Sequence, residues 1–577
     1  MTISFTLHGL AVSSGIAIGR AHLVSQETLE VSHLFIAPRQ IDKEIARFEA
    51  AMAKVRAELE SLREDAGNMT TDVSAFVDLH VMILSDADLS EAPKQIIRER
   101  RCNAEWAIVQ QMELLVEQFD AIDDPYLRER RYDVCQVVER VVRELTGRNS
   151  ASNRIAKANR GEPLIAVAHH LSPADIVAYK DHNFVSFITD VGGATSHTAI
   201  LARGMGIPAV LGLHTARRLI RNGEQLIIDG ERGVVIVNPD LRILEEYQLK
   251  KSEFEIERAR LKLLKSARAT TLDKVKIEML ANLDEPGEVN AALDVGAEGV
   301  GLLRSEFVFM GRSTAPSESE QAQIYTDCAK ALKPEQPLVI RTLDVGGDKP
   351  LAYLPIPAEE NPFLGIRGVR VGLEQPEVLR TQIRAILASA DAGAKLHVMF
   401  PMIATIDDWR RAKQIFDEER SKVPAWDRVS VGIMMEVPSV AVMARQFAAE
   451  DGCDFFSVGT NDLTSYTLAM DRGHPKLASQ VDPCNPAVLA LIGQAAEALH
   501  ERGKWLGVCG GVASDPQAVP ILVGLGVDEL SCSIPAIPSV KAAVRAYSRE
   551  RCKELADRAV VCATPAEVRA LVPLDEA

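Results

Sequence analysis

Between residues 271 and 577, eight short apolar runs alternate with stretches of helical composition. The runs are 277–283, 300–306, 338–344, 396–402, 430–438, 455–462, 506–511 and 529–533. A helix between two strands carries the chain back to the end it started from, so such strands lie parallel. Eight β/α units in about 300 residues predict a TIM (β/α)8 barrel. A doubly wound open sheet is the alternative, because periodicity alone does not show closure.

A barrel makes a demand that the sequence can meet or fail. Functional polar groups should stand at the C-terminal ends of its strands. Arg304 and Glu306 end the second run, Arg341 and Asp344 the third, and Glu436 the fifth. Asn461 and Asp462 end the sixth, Arg472 follows shortly after, and Cys509 ends the seventh. The arginines offer forked donors suited to phosphate or carboxylate. Glu436 and Asp462 are two carboxylates from adjacent strands, and one or two carboxylates plus substrate oxygens is the usual way to hold Mg²⁺. The predicted mouth suits a small polyanion with a divalent metal. Cys509 is either a buried small hydrophobe or, at such a mouth, a general acid.

The first half of the chain reads differently. LHGLAVSSGIAIGRAHLV (7–24) is glycine-punctuated and β-like. Ile41, Ile45, Phe48, Met52, Val55, Leu59 and Leu62 recur in steps of four and three, the seam of a helix of about 25 residues. Residues 34–148 are predicted to be an all-helical subdomain inserted into a small α/β domain made of 1–33 and 149–238. Asp229-Gly230 marks a hairpin turn. Asn238-Pro239 marks a helix start, with Asn as cap and Pro in the first turn. The glycine-free stretch within 239–270 is predicted to be a linker helix of about 30 residues, roughly 45 Å long.

A second candidate site lies at DVGGATSHTAILARGMGIPAVLG (190–212). A strand ends at Asp190, Gly192-Gly193 allows a tight turn, and Thr195 or Ser196 is placed to cap a helix starting near His197. An imidazole there sits among free backbone N–H groups that favour a phosphoryl group. The plain alternative is an ordinary strand–loop–helix that happens to hold one of twelve histidines. Other signals are weak: GGDK (346–349) lacks the P-loop pattern, and GAEGVG (296–301) has the wrong spacing for a dinucleotide fingerprint.

Charge and composition narrow the partners. Sixty-five Lys and Arg against 81 Asp and Glu give −16, a poor balance for a nucleic-acid binder. No run of about 18 apolar residues predicts membrane insertion. The first basic residue is Arg20, so a signal peptide is not expected. Nine scattered cysteines without a CxxC pair predict free thiols in a reducing cytoplasm.

Together these motifs resemble enzyme I of the phosphoenolpyruvate-dependent phosphotransferase system, over nearly the whole chain. GGATSHTAILARGMGIPAVLG is similar to the family's phosphohistidine signature. GLLRSEFVFM, IRTLDVGGDK, NPFLGIRGVR, VMFPMI, GIMMEVPSV, DFFSVGTNDLTSYTLAMDRG and LGVCGG are similar to successive strand ends of its barrel. DDPYLRERRYDV (123–134) resembles the end of its helical subdomain. The resemblance implies that His197 takes the phosphoryl group of phosphoenolpyruvate and passes it to a histidine of the carrier protein HPr, which docks on the helical subdomain. It implies that Arg304, Arg341, Arg367 and Arg472 hold the substrate with Asn461 and Asp462. Glu436 and Asp462 would bind Mg²⁺, and Cys509 would protonate the enolate to pyruvate. It further implies a homodimer through the barrel, a part in sugar transport, and an α/β domain that swings between its two partners.

The chain departs from that pattern at two places. Sugar-type members usually have Arg where Ala194 stands, and Glu after the catalytic Cys-Gly where Gly511 stands. Ala194 and MGIP (205–208) resemble the nitrogen-related branch, whose usual N-terminal sensory domain has no room before residue 7. Activity is expected to survive, because every charged substrate ligand remains. Two rival readings are a phosphoenolpyruvate synthase or dikinase, for which 34–148 is too short and too helical, and a non-catalytic HPr-binding regulator, which has no need of the Arg, Glu, Asp and Cys set.

Overall fold

The computed structural model describes residues 4–24, 31–65, 79–120, 131–147, 161–171, 176, 183–193, 198–199, 202, 206–347, 351–357, 359–472, 474 and 476–573. The chain divides into two compact units, Met1–Glu257 and Arg258–Ala577.

In the first unit, helix Ile41–Asp65 forms where the four-three seam lies. Ile45, Phe48, Met52, Val55 and Leu59 are buried, against Ala104, Ala107 and Ile108 of helix Ala104–Asp120 and Val134, Val137, Val138 and Val141 of helix Arg131–Thr146. The apolar stripe is what makes this segment pack as a bundle.

The α/β part is one eight-stranded sheet in the order β1-β8-β7-β3-β4-β5-β6-β2. Strands β1 (Phe5–His8), β2 (Leu10–Ser13) and β3 (Ile16–Leu23) come from the N-terminus. Strands β4 (Leu164–Ala168), β5 (Phe184–Thr189), β6 (Ala209–Leu211), β7 (Gln225–Asp229) and β8 (Val234–Val237) follow the helical segment. β3, β4, β5 and β6 run parallel to one another. LIAVA of β4 is buried along its whole length, as a strand covered on both faces must be.

The hairpin expected at Asp229-Gly230 is present: β7 and β8 pair antiparallel, joined by the four residues 230–233. Asp229 Oδ1 accepts from the N–H groups of Glu231 and Arg232, which is an Asx-type turn, and Gly233 supplies the positive φ of 67°. The linker helix spans Leu241–Lys262, shorter than expected, and its cap is Asp240, whose Oδ1 accepts from Ile243 N at 2.9 Å. Asn238 is instead left-handed, with φ 50°, and donates through Nδ2 to Glu224.

The second unit is a closed parallel barrel, β10-β11-β12-β13-β14-β15-β16-β9. Its strands are β9 (Glu278–Leu283), β10 (Val300–Leu303), β11 (Pro337–Arg341), β12 (Lys395–Phe400), β13 (Ser430–Met435), β14 (Phe455–Val458), β15 (Trp505–Val508) and β16 (Glu529–Cys532). All eight predicted runs supply one strand each. Pairing of β16 with β9 closes the ring and removes the open-sheet alternative.

Candidate active site

The strand ends converge on one cavity of about 470 Å³ at the C-terminal mouth of the barrel. Arg304, Arg341, Arg367, Glu436, Asn461, Asp462, Arg472 and Cys509 all line it. Every site residue expected on the barrel is therefore in one place. His197, the expected phosphoryl acceptor, lies outside the described residues, as do Ala194, Thr195 and Ser196. Of the described residues that flank it in sequence, β5 ends at Thr189, and Thr198, Ala199 and Ala202 are buried. Thr198 Oγ1 donates to Leu171 O at 2.8 Å.

The cavity is held by a ladder of buried ion pairs. Arg341 Nη2 donates to Glu306 Oε1 at 2.8 Å, and its Nη1 lies 3.2 Å from Asp344 Oδ2. Arg367 Nη2 reaches both oxygens of Asp344 at 3.4 Å. Glu306 does not end a strand, as expected, but opens the short helix Glu306–Phe309, and its Oε1 also accepts from Asp344 N. Gly368 precedes the helix Val369–Glu374 at φ 57°, and a Cβ there would stand 2.8 Å from Met402 Cγ and 3.1 Å from Asp344 Oδ1. Only glycine lets the backbone beside Arg367 come this close.

These guanidiniums are not saturated. Arg341 Nε, Arg367 Nε and Arg367 Nη1 are buried without a hydrogen-bond partner. Buried donors left in this state cost free energy until an acceptor arrives. At the rim, Arg304 Nη1 donates to Asp284 Oδ1 at 2.5 Å, and Arg472 lies 3.4 Å from Asp462.

Carboxylates crowd the same space. Glu436 is pushed well above the usual carboxylate range, first by burial and then by repulsion from Asp344 and Asp462, with Arg341 opposing. Its Oε1 accepts from Met402 N at 2.6 Å, and Met402 adopts a left-handed φ of 57° to make that bond, a backbone state costing about 1–3 kcal/mol. The lining holds four arginines, Arg304, Arg341, Arg367 and Arg472, against five carboxylates, Asp284, Glu306, Asp344, Glu436 and Asp462. With the Glu436 carboxyl held up at about 8, the four arginines are balanced by the other four carboxylates, so the lining offers a polyanion no net positive charge, which a divalent cation would supply. Among the described residues no three His, Cys, Asp or Glu side chains form a cation cluster by themselves. Glu436 and Asp462 thus fit a Mg²⁺ whose remaining ligands are substrate oxygens and water.

Cys509 sits beside an apolar floor of Leu302, Val339, Met399, Met434 and Phe455. Burial pushes its thiol up to about 11, so it carries its proton at neutral pH. Its Sγ donates to Val458 O at 3.6 Å. Sequence reasoning missed Asp284 and Met434 as lining residues. Asp284 was open to the strand-end rule, one residue past β9.

The cavity composition agrees with similarity at the level of whole chains. Residues 258–549 match the profile of the PEP-utilising enzyme, PEP-binding domain. Residues 8–130 match the N-terminal and 161–233 the mobile domain of PEP-utilising enzymes. The phosphoenolpyruvate-protein phosphotransferase of Geobacillus stearothermophilus is 40% identical over 98% of this chain and 97% of the relative. That of Cupriavidus necator is 41% identical over 98% of each. The chain belongs to the phosphoenolpyruvate-protein phosphotransferase family. The barrel that carries the cavity is the part matched by the family's PEP-binding domain, and the β4–β8 segment overlaps the mobile domain. No helix among the described residues is long and apolar enough to cross a membrane.

Proposed function

We propose that phosphoenolpyruvate binds in the barrel cavity and that its phosphoryl group passes to His197 and then to a histidine of an HPr-type carrier protein. The observation that carries this reading is the set of buried, unpartnered N–H groups on Arg341 and Arg367, beside a protonated thiol. Phosphoryl transfer asks a protein chiefly for positioning and charge neutralisation. Arg304, Arg341, Arg367 and Arg472 supply the positive charge, and Asn461 and Asp462 contact the substrate. Glu436 and Asp462 would hold Mg²⁺, which when bound adds charge neutralisation at the phosphate.

The P–O bond of the substrate breaks as a P–N bond to His197 forms. The electron pair left on the enolate moves to C3, which takes the Cys509 proton. A C–H bond forms, pyruvate leaves, and the thiolate regains a proton from solvent. The raised thiol pKa suits an acid that must keep its proton until this moment. His197 then delivers to the carrier, so the domain that bears it serves two partners in turn.

The division into an α/β domain (1–33 and 149–238), a helical carrier-docking subdomain (34–148), a linker (239–270) and a barrel (271–577) belongs to this proposal, as does a homodimer through the barrel on the family resemblance. Among the described residues no disulfide joins the nine cysteines, which supports a reducing cytoplasm.

The test is intact mass after adding phosphoenolpyruvate and Mg²⁺, beside a His197→Ala control. One acid-labile phosphoryl group, absent from the control, is expected. A folded protein that gains no mass would overturn the assignment.

A further inference from the structure

The turn that bears Cys509 is pinned from three sides, none of which uses a side chain at position 511. Cys509 N and Gly510 N both donate to Val458 O at 3.1 Å. Gly511 N donates to Asn461 Oδ1 at 3.2 Å. Asn282 Nδ2 donates to Cys509 O at 2.9 Å. Ser531 Oγ, fully buried, in turn donates to Asn282 Oδ1 at 2.7 Å.

This chain of bonds crosses three strands. Ser531 lies on β16, Asn282 on its neighbour β9, and Cys509 just past β15 on the other side of β16. The amide orientation of Asn282 is forced, since a carbonyl can only accept and Nδ2 must face it. With the hydroxyl of Ser531 holding Oδ1, the amide plane is locked. Rotation of the Cys509–Gly510 peptide would break the Asn282 bond and swing the Cα–Cβ bond that aims the thiol.

We propose that Asn282 is a positioning residue for Cys509, and that Ser531 orients it. The anchorage acts on the backbone, so Gly511 leaves the thiol aimed. A misplacement of about 1 Å at a reacting group can cost about a hundredfold in rate. The inference rests on Cys509 acting as the acid, and the experiment separates the two.

Asn282→Asp keeps the shape and the acceptor for Ser531 but removes the donor to Cys509 O. Four quantities are read: steady-state kcat and KM for phosphoenolpyruvate, exchange of pyruvate methyl protons in D2O by NMR, and alkylation of Cys509 by iodoacetamide without substrate. Asn282→Asp is expected to lower kcat and methyl exchange about ten- to a hundredfold, with KM within about twofold. Alkylation is expected to rise several-fold as the turn loosens. On a Cys509→Ala background the same change should add nothing. Ser531→Ala, a smaller perturbation, should give a partial version of each effect and serves if Asn282→Asp does not fold.

Unchanged kcat, exchange and alkylation would overturn the proposal, as would an equal further loss in the Cys509→Ala background. If the wild type shows no Cys509-dependent exchange while the alkylation difference persists, the acid assignment falls and the anchorage stands.

Discussion

The Arg341 guanidinium lies 2.8 Å from the Glu306 carboxylate, and both side chains are shut away from solvent. Arg341→Met would leave Glu306 buried without its partner, as a carboxylate that must either stay charged or bind a proton. Removing one member of a buried pair costs about 3–5 kcal/mol. We expect that loss in urea unfolding of the barrel, together with loss of phosphoryl uptake. Arg341→Lys keeps the charge but not the fork, and should fall between.

Cys509 should be slow to alkylate at pH 7, because burial holds the thiol near 11. The rate constant for iodoacetamide should climb steadily from pH 8 to pH 10 without levelling. Cys509→Ala should bind phosphoenolpyruvate with an ordinary KM and release pyruvate at least about a hundredfold more slowly, the usual share of a general acid. A plateau below pH 9 would contradict the assignment.

Two adjacent glycines should respond unequally to alanine. At Gly510 a Cβ would stand 2.0 Å from Thr460 Oγ1 and 2.5 Å from its N. Overpacking of that kind costs about 1–3 kcal/mol. At Gly511 the nearest atom is Asn461 Oδ1 at 3.3 Å. Gly511→Ala should therefore stay within about 0.5 kcal/mol of wild type. Melting temperatures of the two variants decide the point.

Glu529 gives the barrel a pH-dependent weakness. Burial pushes its carboxyl from 4.5 up to about 8, Glu278 adds repulsion, and a hydrogen bond from Trp505 opposes. The folded chain holds this proton more tightly than the unfolded chain. Its contribution is fully present below about 4.5 and is lost as pH rises through about 8. Glu529→Gln should flatten the fall in melting temperature between pH 5 and pH 9. Parallel curves for the two proteins would refute the assignment.

Much of this site was open to reading before any coordinates. Arg304, Arg341, Glu436, Asp462 and Cys509 each follow an apolar run, and parallel strands deliver such positions to one rim. Asn282 lies within the first predicted run, 277–283, and Asp284 stands one residue past β9, so the strand-end rule reaches both. The bonds from Ser531 to Asn282 to Cys509 join residues more than two hundred positions apart, beyond any local pattern. The linker start illustrates competition at short range. Asn238 and Asp240 are both good caps, and the pull of Glu224 on Asn238 leaves the role to Asp240. The linker end is tertiary too: Lys541, buried on helix Ile537–Ala546, donates to the carbonyls of Leu264 and Lys265 just past the last turn.

The sheet of the first unit has a consequence during synthesis. β3 ends at Leu23, and its parallel neighbour β4 begins at Leu164. Its other neighbour, β7, starts later still, at Gln225. At ribosomal speeds of about 5–20 residues per second, β3 waits roughly 7–28 s for its first partner, with both edges bare. The helix Ile41–Asp65 and those that pack on it emerge inside that interval. The bundle is thus placed to fold first and to stand beside an unfinished sheet until the nascent chain supplies the rest.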